Sequence, residues 1–204
     1  MEREDYMART NAREPLIRAA IDLFSRKGFD GTGVDEIAES IGIKGPTIYK
    51  YFRNKEDLLK AVTDEAETEY IRGMEITKDL PDKINCGAEL KAYALRSLHF
   101  TVDNDTAVKM RRLITMEQYR NELLADLTTR HQLTYLQDVY SSIFKKMMKR
   151  GQMVKGDANI IALEFISPIT IMIQLVDRNP AKKKEAFKTI EKHIDIFLER
   201  YEFI

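Results

Sequence analysis

Cysteine is nearly absent: Cys86 is the only one in 204 residues. That excludes an intramolecular disulfide framework and fits a reducing compartment. Proline and glycine are sparse, at five and nine, and no stretch alternates apolar and polar residues long enough to read as a strand. Net charge is missing too, since Lys plus Arg and Asp plus Glu each number 33. No global positive excess advertises nucleic acid or an anionic membrane, so such a partner must be met by charge placed locally. The opening MEREDYMARTNARE is strongly polar, without the apolar core of a secretory leader, and the expected location is the cytoplasm. Catalytic signatures are lacking as well. There is no Gly-rich phosphate loop and no GxSxG. His99, His131 and His193 fall on three different expected helices without an HxxxH or HExxH pair, and Cys86 has no obvious His or Asn companion in sequence. No enzyme activity, metal or cofactor is expected.

What is present is helix. With 44% hydrophobic and 32% charged residues, the chain can bury a real core. Leu16, Ala20, Leu23 and Phe24 form a stripe over about 9–27, ended by Gly28. Val34, Ile37, Ala38 and Ile41 mark a short second helix that stops at Gly42. Pro46 should open a third as its first helical residue. Asn54, with Asp57 three residues on, should cap a fourth that runs to about Lys78. Longer helices follow near 86–103, 105–117, 121–150, 157–177 and 181–201. The expected fold is all-α with about nine helices. A three-helix head over 1–56 should precede a helical bundle over 57–204, because short helices with tight Gly turns give way there to long ones.

The segment IKGPTIYKYFRNKEDLL, residues 43–59, carries four cations, two tyrosines, a Pro and a Thr in its first thirteen residues before any carboxylate. At ~100° per residue, Ile48, Tyr51 and Phe52 gather on one arc, and Pro46, Thr47, Tyr49 and Lys50 on the other. The second arc offers a hydroxyl, a phenol and an ammonium, all donors to phosphate oxygens or base edges. Lys55 follows at a helix start, where free backbone N–H groups also favour an anion. Two short helices joined by GIKG, the second one cationic, have the form of a helix-turn-helix. Residues 1–60 nevertheless hold 11 cations and 11 carboxylates, and packed rings with solvated charges remain an alternative reading of the segment.

The stretch AAIDLFSRKGFDGTGVDEIAESIGIKGPTIYKYFRNKEDLL resembles the DNA-binding domain of the tetracycline-repressor-like (TetR) family of bacterial regulators, over about Glu14 to Ala61. The matching positions are Ala20, Phe24, Gly28 and Phe29, then Val34, Ile37 and Ala38, then Gly42 and Ile43, and Thr47 through Leu58. The resemblance implies phosphate contacts from Thr47, Tyr49 and Lys55 and base reading around Gly45, Pro46 and Lys50, with Tyr51 at the edge of the outward arc. Two departures stand out. Gly33 replaces the usual Ser or Thr cap, leaving Thr32 as a displaced cap and phosphate donor. Lys44 stands where Ser is common, adding a charge beside the groove and removing a side-chain cap.

Beyond residue 80 the resemblance thins to RGQMVKGDANIIA. It implies a homodimer built on the last two helices. Consistent with that, the run from Ile160 to Val176, including Ile169 and Ile173, has almost no polar face. Ile190, Ile194, Phe197 and Tyr201 make a seam that a partner helix could cover. Packing within one chain is the alternative for that seam, and a membrane span is the rival for the run, although Glu164, Pro168 and Gln174 interrupt it. Tyr93, Phe100, Met110, Met116, Tyr119, Tyr135 and Phe144 are core residues first, but aromatics and flexible Met also build adaptable pockets. The resemblance implies a small-molecule effector there, and a repressor acting on a pseudo-palindromic DNA operator. A helical adaptor that dimerises without touching DNA is the opposing class.

Overall fold

The computed structural model describes residues 12–203; residues 9–11 of the expected first helix, with the rest of the opening segment, lie outside them. Among the described residues there are ten α-helices and no strand. The head comprises α1 (Arg13–Lys27), α2 (Val34–Ser40) and a 3-10 helix (Gly45–Lys50), and α3 (Lys55–Gly73) leads out of it. Then come α4 (Leu80–Lys83), α5 (Gly87–Asp103), α6 (Asp105–Glu117) and α7 (Glu122–Thr129), a π turn at Arg130–Thr134, α8 (Tyr135–Lys149), α9 (Ala158–Arg178), a 3-10 turn (Pro180–Lys182) and α10 (Lys183–Arg200).

The punctuation acts as its chemistry dictates. Gly28 and Gly42 have φ of 77° and 74°, in the left-handed region that glycine enters without steric cost. The side chain of Asn54 accepts from the Asp57 N–H at 2.7 Å, capping α3. Three expectations need correction. The third helix is 3-10 and begins at Gly45, with Pro46 second. The fourth ends at Gly73 rather than Lys78, since Met74 closes it and Glu75 turns to φ 53°. The helix expected over 121–150 is interrupted by the π turn, where one extra residue per turn shifts the side-chain phase.

Two hydrophobic cores result. One gathers Leu16, Ala20, Phe24, Ile37, Ile48, Phe52, Leu58 and Val62 of the head and α3, and it also takes in Met110, Leu113, Ile114, Leu124 and Leu127 from α6 and α7. The other joins α5, α8, α9 and α10 around Phe144, Phe165 and Phe197, whose rings lie 4.7–5.8 Å apart. Helix α6 also binds α1 through polar groups. Lys109 pairs with Asp22 at 3.0 Å, and the buried Glu117 accepts from the Phe29 N–H at 3.0 Å. A Cβ on Gly28 would lie 2.5 Å from that carboxylate, so glycine there serves both the turn and the close approach.

Helix α9 is long and apolar enough to cross a membrane by length and composition. Here it packs along α8 and α10, and its Glu164 pairs with Arg200 and accepts from the Tyr201 hydroxyl at 2.6 Å.

Candidate nucleic-acid interface and ligand cavity

In a 3-10 helix residues i and i+3 eclipse. Gly45, Ile48 and Tyr51 therefore form one row and face inward: Gly45 and Ile48 are buried and Tyr51 is half-buried. Pro46, Tyr49 and Lys50 are exposed and Thr47 is half-buried; Lys44, also exposed, ends the Ile41–Lys44 turn. This is a proline, a phenol, a hydroxyl and two ammonium groups on one outward surface. Ile43 N–H bonds Ala38 O at 3.0 Å and Gly42 N–H bonds Glu39 O at 3.0 Å, so the turn before that surface is held by its own backbone and needs no side-chain cap.

Two expected contacts change character. Thr32 is 1% exposed and its hydroxyl donates to Gly28 O at 2.8 Å. It is neither a displaced cap for α2 nor available to a phosphate, because its one donor is spent closing the turn after α1. Gly45 faces α2 instead of solvent, and a Cβ there would stand 1.6 Å from Oδ1 of Asp35. Its role is close approach between helices. Lys55 is half-buried, donates to Thr32 O at 3.0 Å and lies 4.3 Å over the Phe29 ring; an ammonium has three donors, so one is already committed to the head.

The cavity lies between α3, α5, α6, the π turn, α8 and α9, with a volume of about 90 Å³. Ala66, Leu98, Ile114, Leu136, Ile166 and Ile169 supply much of its apolar wall. Of the seven side chains expected to line a ligand site, Met110 does so. Phe144 is fully buried in the second core, and Tyr93 is buried with its hydroxyl on Met74 O at 3.1 Å. Phe100 packs over Gly73, where a Cβ would meet its ring at 2.1 Å. Tyr135 does not reach the lining, and Met116 and Tyr119, 40% and 92% exposed, border an outer opening instead.

The polar lining was not anticipated from sequence. Arg111 makes two parallel bonds to Asp177, Nε to Oδ2 at 2.9 Å and Nη2 to Oδ1 at 2.8 Å, and a third to Thr101 O. Gln174 donates to Gln132 at 3.3 Å. Burial pushes the Tyr70 phenol up to about 12, so it is a neutral group at physiological pH. The π turn brings His131 edge-on to Tyr70 with centroids 5.0 Å apart. Among the described residues no group of three or more His, Cys, Asp or Glu is gathered as metal ligands.

Burial lowers the His131 pKa below its ordinary 6.5, against the opposing charge of Glu67. A base depressed in the fold binds protons more readily when unfolded, so its share of stability is full above about pH 6.5 and is lost as pH falls towards the folded value. Melting temperature should therefore decline below about pH 6.5, and His131→Asn should flatten that decline. A decline that persists undiminished in the variant would remove His131 from the account.

The six residues expected at a dimer interface are all engaged within the chain. Ile190, Ile194 and Phe197 are at most 2% exposed, inside the second core. Ile169 and Ile173 line the cavity, and Tyr201 bonds Glu164. The apolar side chains left outward on these helices are Ile160, Leu163 and Ile171 on α9 and Ile196 on α10.

Residues 16–62 match the family model described as bacterial regulatory proteins, tetR family. The chain is 33% identical over 87 residues to the fatty acid metabolism regulator protein of Bacillus subtilis (strain 168), covering 43% of each. It is 43% identical over 49 residues to the class A tetracycline repressor protein of Escherichia coli, 24% of this chain and 23% of that one. The matched stretches thus span less than half the length of these relatives. Over whole chains the fold is similar to that of SmeT, the repressor of the Stenotrophomonas maltophilia multidrug efflux pump SmeDEF. The TM-score is 0.68 at 18% identity, over 93% of this chain and 89% of that one. A SmeT–triclosan complex gives 0.72 at 18% identity, covering 93% and 91%.

Proposed function

This chain belongs to the tetR family of bacterial regulatory proteins, and from that we propose that it is a ligand-responsive transcriptional regulator, most simply a repressor. In this reading it works in the cytoplasm as a homodimer on a pseudo-palindromic operator, with residues 1–56 as the DNA head and 57–204 as the effector and dimer region. Each subunit presents Lys44, Pro46, Thr47, Tyr49, Lys50 and Lys55 to a major groove, with two heads about one helical turn, ~34–36 Å, apart. No step of catalysis is assigned to it.

The observation that carries the regulatory half is the double membership of Met110 and Ile114. Both line the cavity, and both belong to the core of the DNA head. A ligand that displaces them shifts α6, and α6 holds α1 through Lys109 and Glu117. A ligand acts only through unequal affinity for the DNA-competent and incompetent forms.

The test starts with selection of bound duplexes from a random pool, which reports the operator, its symmetry and its spacing. A ligand found by thermal shift should then weaken the operator complex by about 5–150-fold, and operator should weaken that ligand by the same factor. Equal ligand affinity with and without operator would overturn the effector reading.

A further inference from the structure

The inner cavity abuts an outer opening on the side of Tyr119, and the two share Arg111, Thr115, Gln132, Gln174 and Asp177 as lining. Charge divides sharply between them. Inside, the two lining carboxylates are both committed, Glu67 to Arg130 and Asp177 to Arg111. His131 is held neutral by its surroundings, and the remaining wall is largely apolar. Outside, the opening adds Arg112 and Arg178. Both are exposed, and neither has a carboxylate partner among the described residues. Guanidinium groups present forked donors that match carboxylate and phosphate oxygens.

Between the two regions stand the Gln132–Gln174 amide contact and the Arg111–Asp177 pair. A ligand that occupies both regions must thread this neck, and a slender chain fits that requirement better than a fused ring system. Placing an anion in the inner cavity would leave it desolvated and unpaired. A cationic head at the opening would meet Arg112 and Arg178 with no free carboxylate beside it.

We propose that the cavity and its opening together take a single-chain amphiphile, with an alkyl tail inside and an anionic carboxylate or phosphate head at Arg112 and Arg178. This rests on the reading of the inner cavity as the effector site. It goes further by fixing the polarity of the ligand and the sign of its head.

The experiment is calorimetric titration of the full chain with four probes of one tail length: decanoate, decyl phosphate, 1-decanol and decyltrimethylammonium. One or both anions should bind at least about tenfold tighter than the alcohol and the cation, as a charge-assisted forked contact implies. The comparison of decanoate with decyl phosphate tells which head is preferred. In Arg112→Gln/Arg178→Gln the anion-to-alcohol ratio should collapse towards about one, and added salt should weaken only the anions. Equal or tighter binding of the alcohol, preference for the cation, no binding of any probe, or a ratio that survives in the double variant would each overturn the proposal. Gel shift on the selected operator separates the two readings. An operator complex released by a compound of another charge discards the amphiphile alone, and failure to form any operator complex discards the regulator reading whatever the titrations give.

Discussion

Replacing Tyr49 and Lys50 together by alanine should lower operator affinity about a thousandfold while leaving the melting temperature nearly unmoved. The two parts of the result have separate causes. Tyr49 is 58% exposed and Lys50 lies fully on the outer face, and surface substitutions of this kind stay within about ±0.5 kcal/mol of stability. On DNA each side chain is proposed to supply one contact per half-site, so the dimer loses four. At about 1 kcal/mol each, the sum is ~4 kcal/mol, or about three factors of ten. Filter binding or fluorescence anisotropy on the selected operator measures the first part and calorimetry the second. Affinity within about fivefold of the parent would move the groove-reading surface off the 3-10 helix.

The second large effect concerns assembly. In the proposed homodimer, Ile171→Glu should leave monomers and abolish tight operator binding, although each chain still folds. Ile171 is 58% exposed, with Ile160 and Leu163 on the same side of α9 and Ile196 on α10, an outward apolar surface that a second copy would cover. A carboxylate buried there without a partner costs several kcal/mol, and the symmetry of a dimer applies it twice. Because the position is exposed in the single chain, the monomer itself loses little. Sedimentation equilibrium checks the outcome, and a variant that remains dimeric at micromolar concentration would place the interface elsewhere. Phe197→Glu is a poorer test of assembly: Phe197 is 2% exposed among Phe144, Phe165 and Tyr201, so a charge there would unfold the bundle before it reported on the dimer.

Residue chemistry that acts locally could be read without coordinates. Gly28 and Gly42 announced the ends of α1 and α2, Asn54 announced the start of α3, and the outward arc of Pro46, Thr47, Tyr49 and Lys50 emerged from angular spacing alone. The arc survives the change from α to 3-10 geometry because eclipsing stacks Pro46 with Tyr49 and Thr47 with Lys50, leaving Ile48 in the third, inward row with Gly45 and Tyr51. What a stripe cannot report is the identity of its cover. Ile190, Ile194 and Phe197 had to be buried, but α9 of the same chain covers them. Thr32 misled because a hydroxyl near a helix start reads as a cap until Gly28 O is seen 2.8 Å away. The cavity was the least legible part. Of its aromatic candidates, Tyr93 and Phe144 went to the core and Tyr119 to the surface, and its polar lining came from Arg111, Gln132 and Asp177, residues that a helical wheel assigns to solvent. Nothing in RHQLT signals the π turn that carries two of the lining residues, His131 and Gln132.

The extension of the head's core into α6 and α7 also bears on recombination. Leu113 and Leu124, both fully buried, lie some fifty residues or more downstream of the matched DNA-binding segment yet pack into its interior. A crossover at residue 56 that joined this head to another member's bundle would replace Met110, Leu113, Ile114, Leu124 and Leu127 with side chains shaped for a different partner. The heritable unit that keeps its packing intact is therefore discontinuous in the gene, made of the first helices together with α6 and α7.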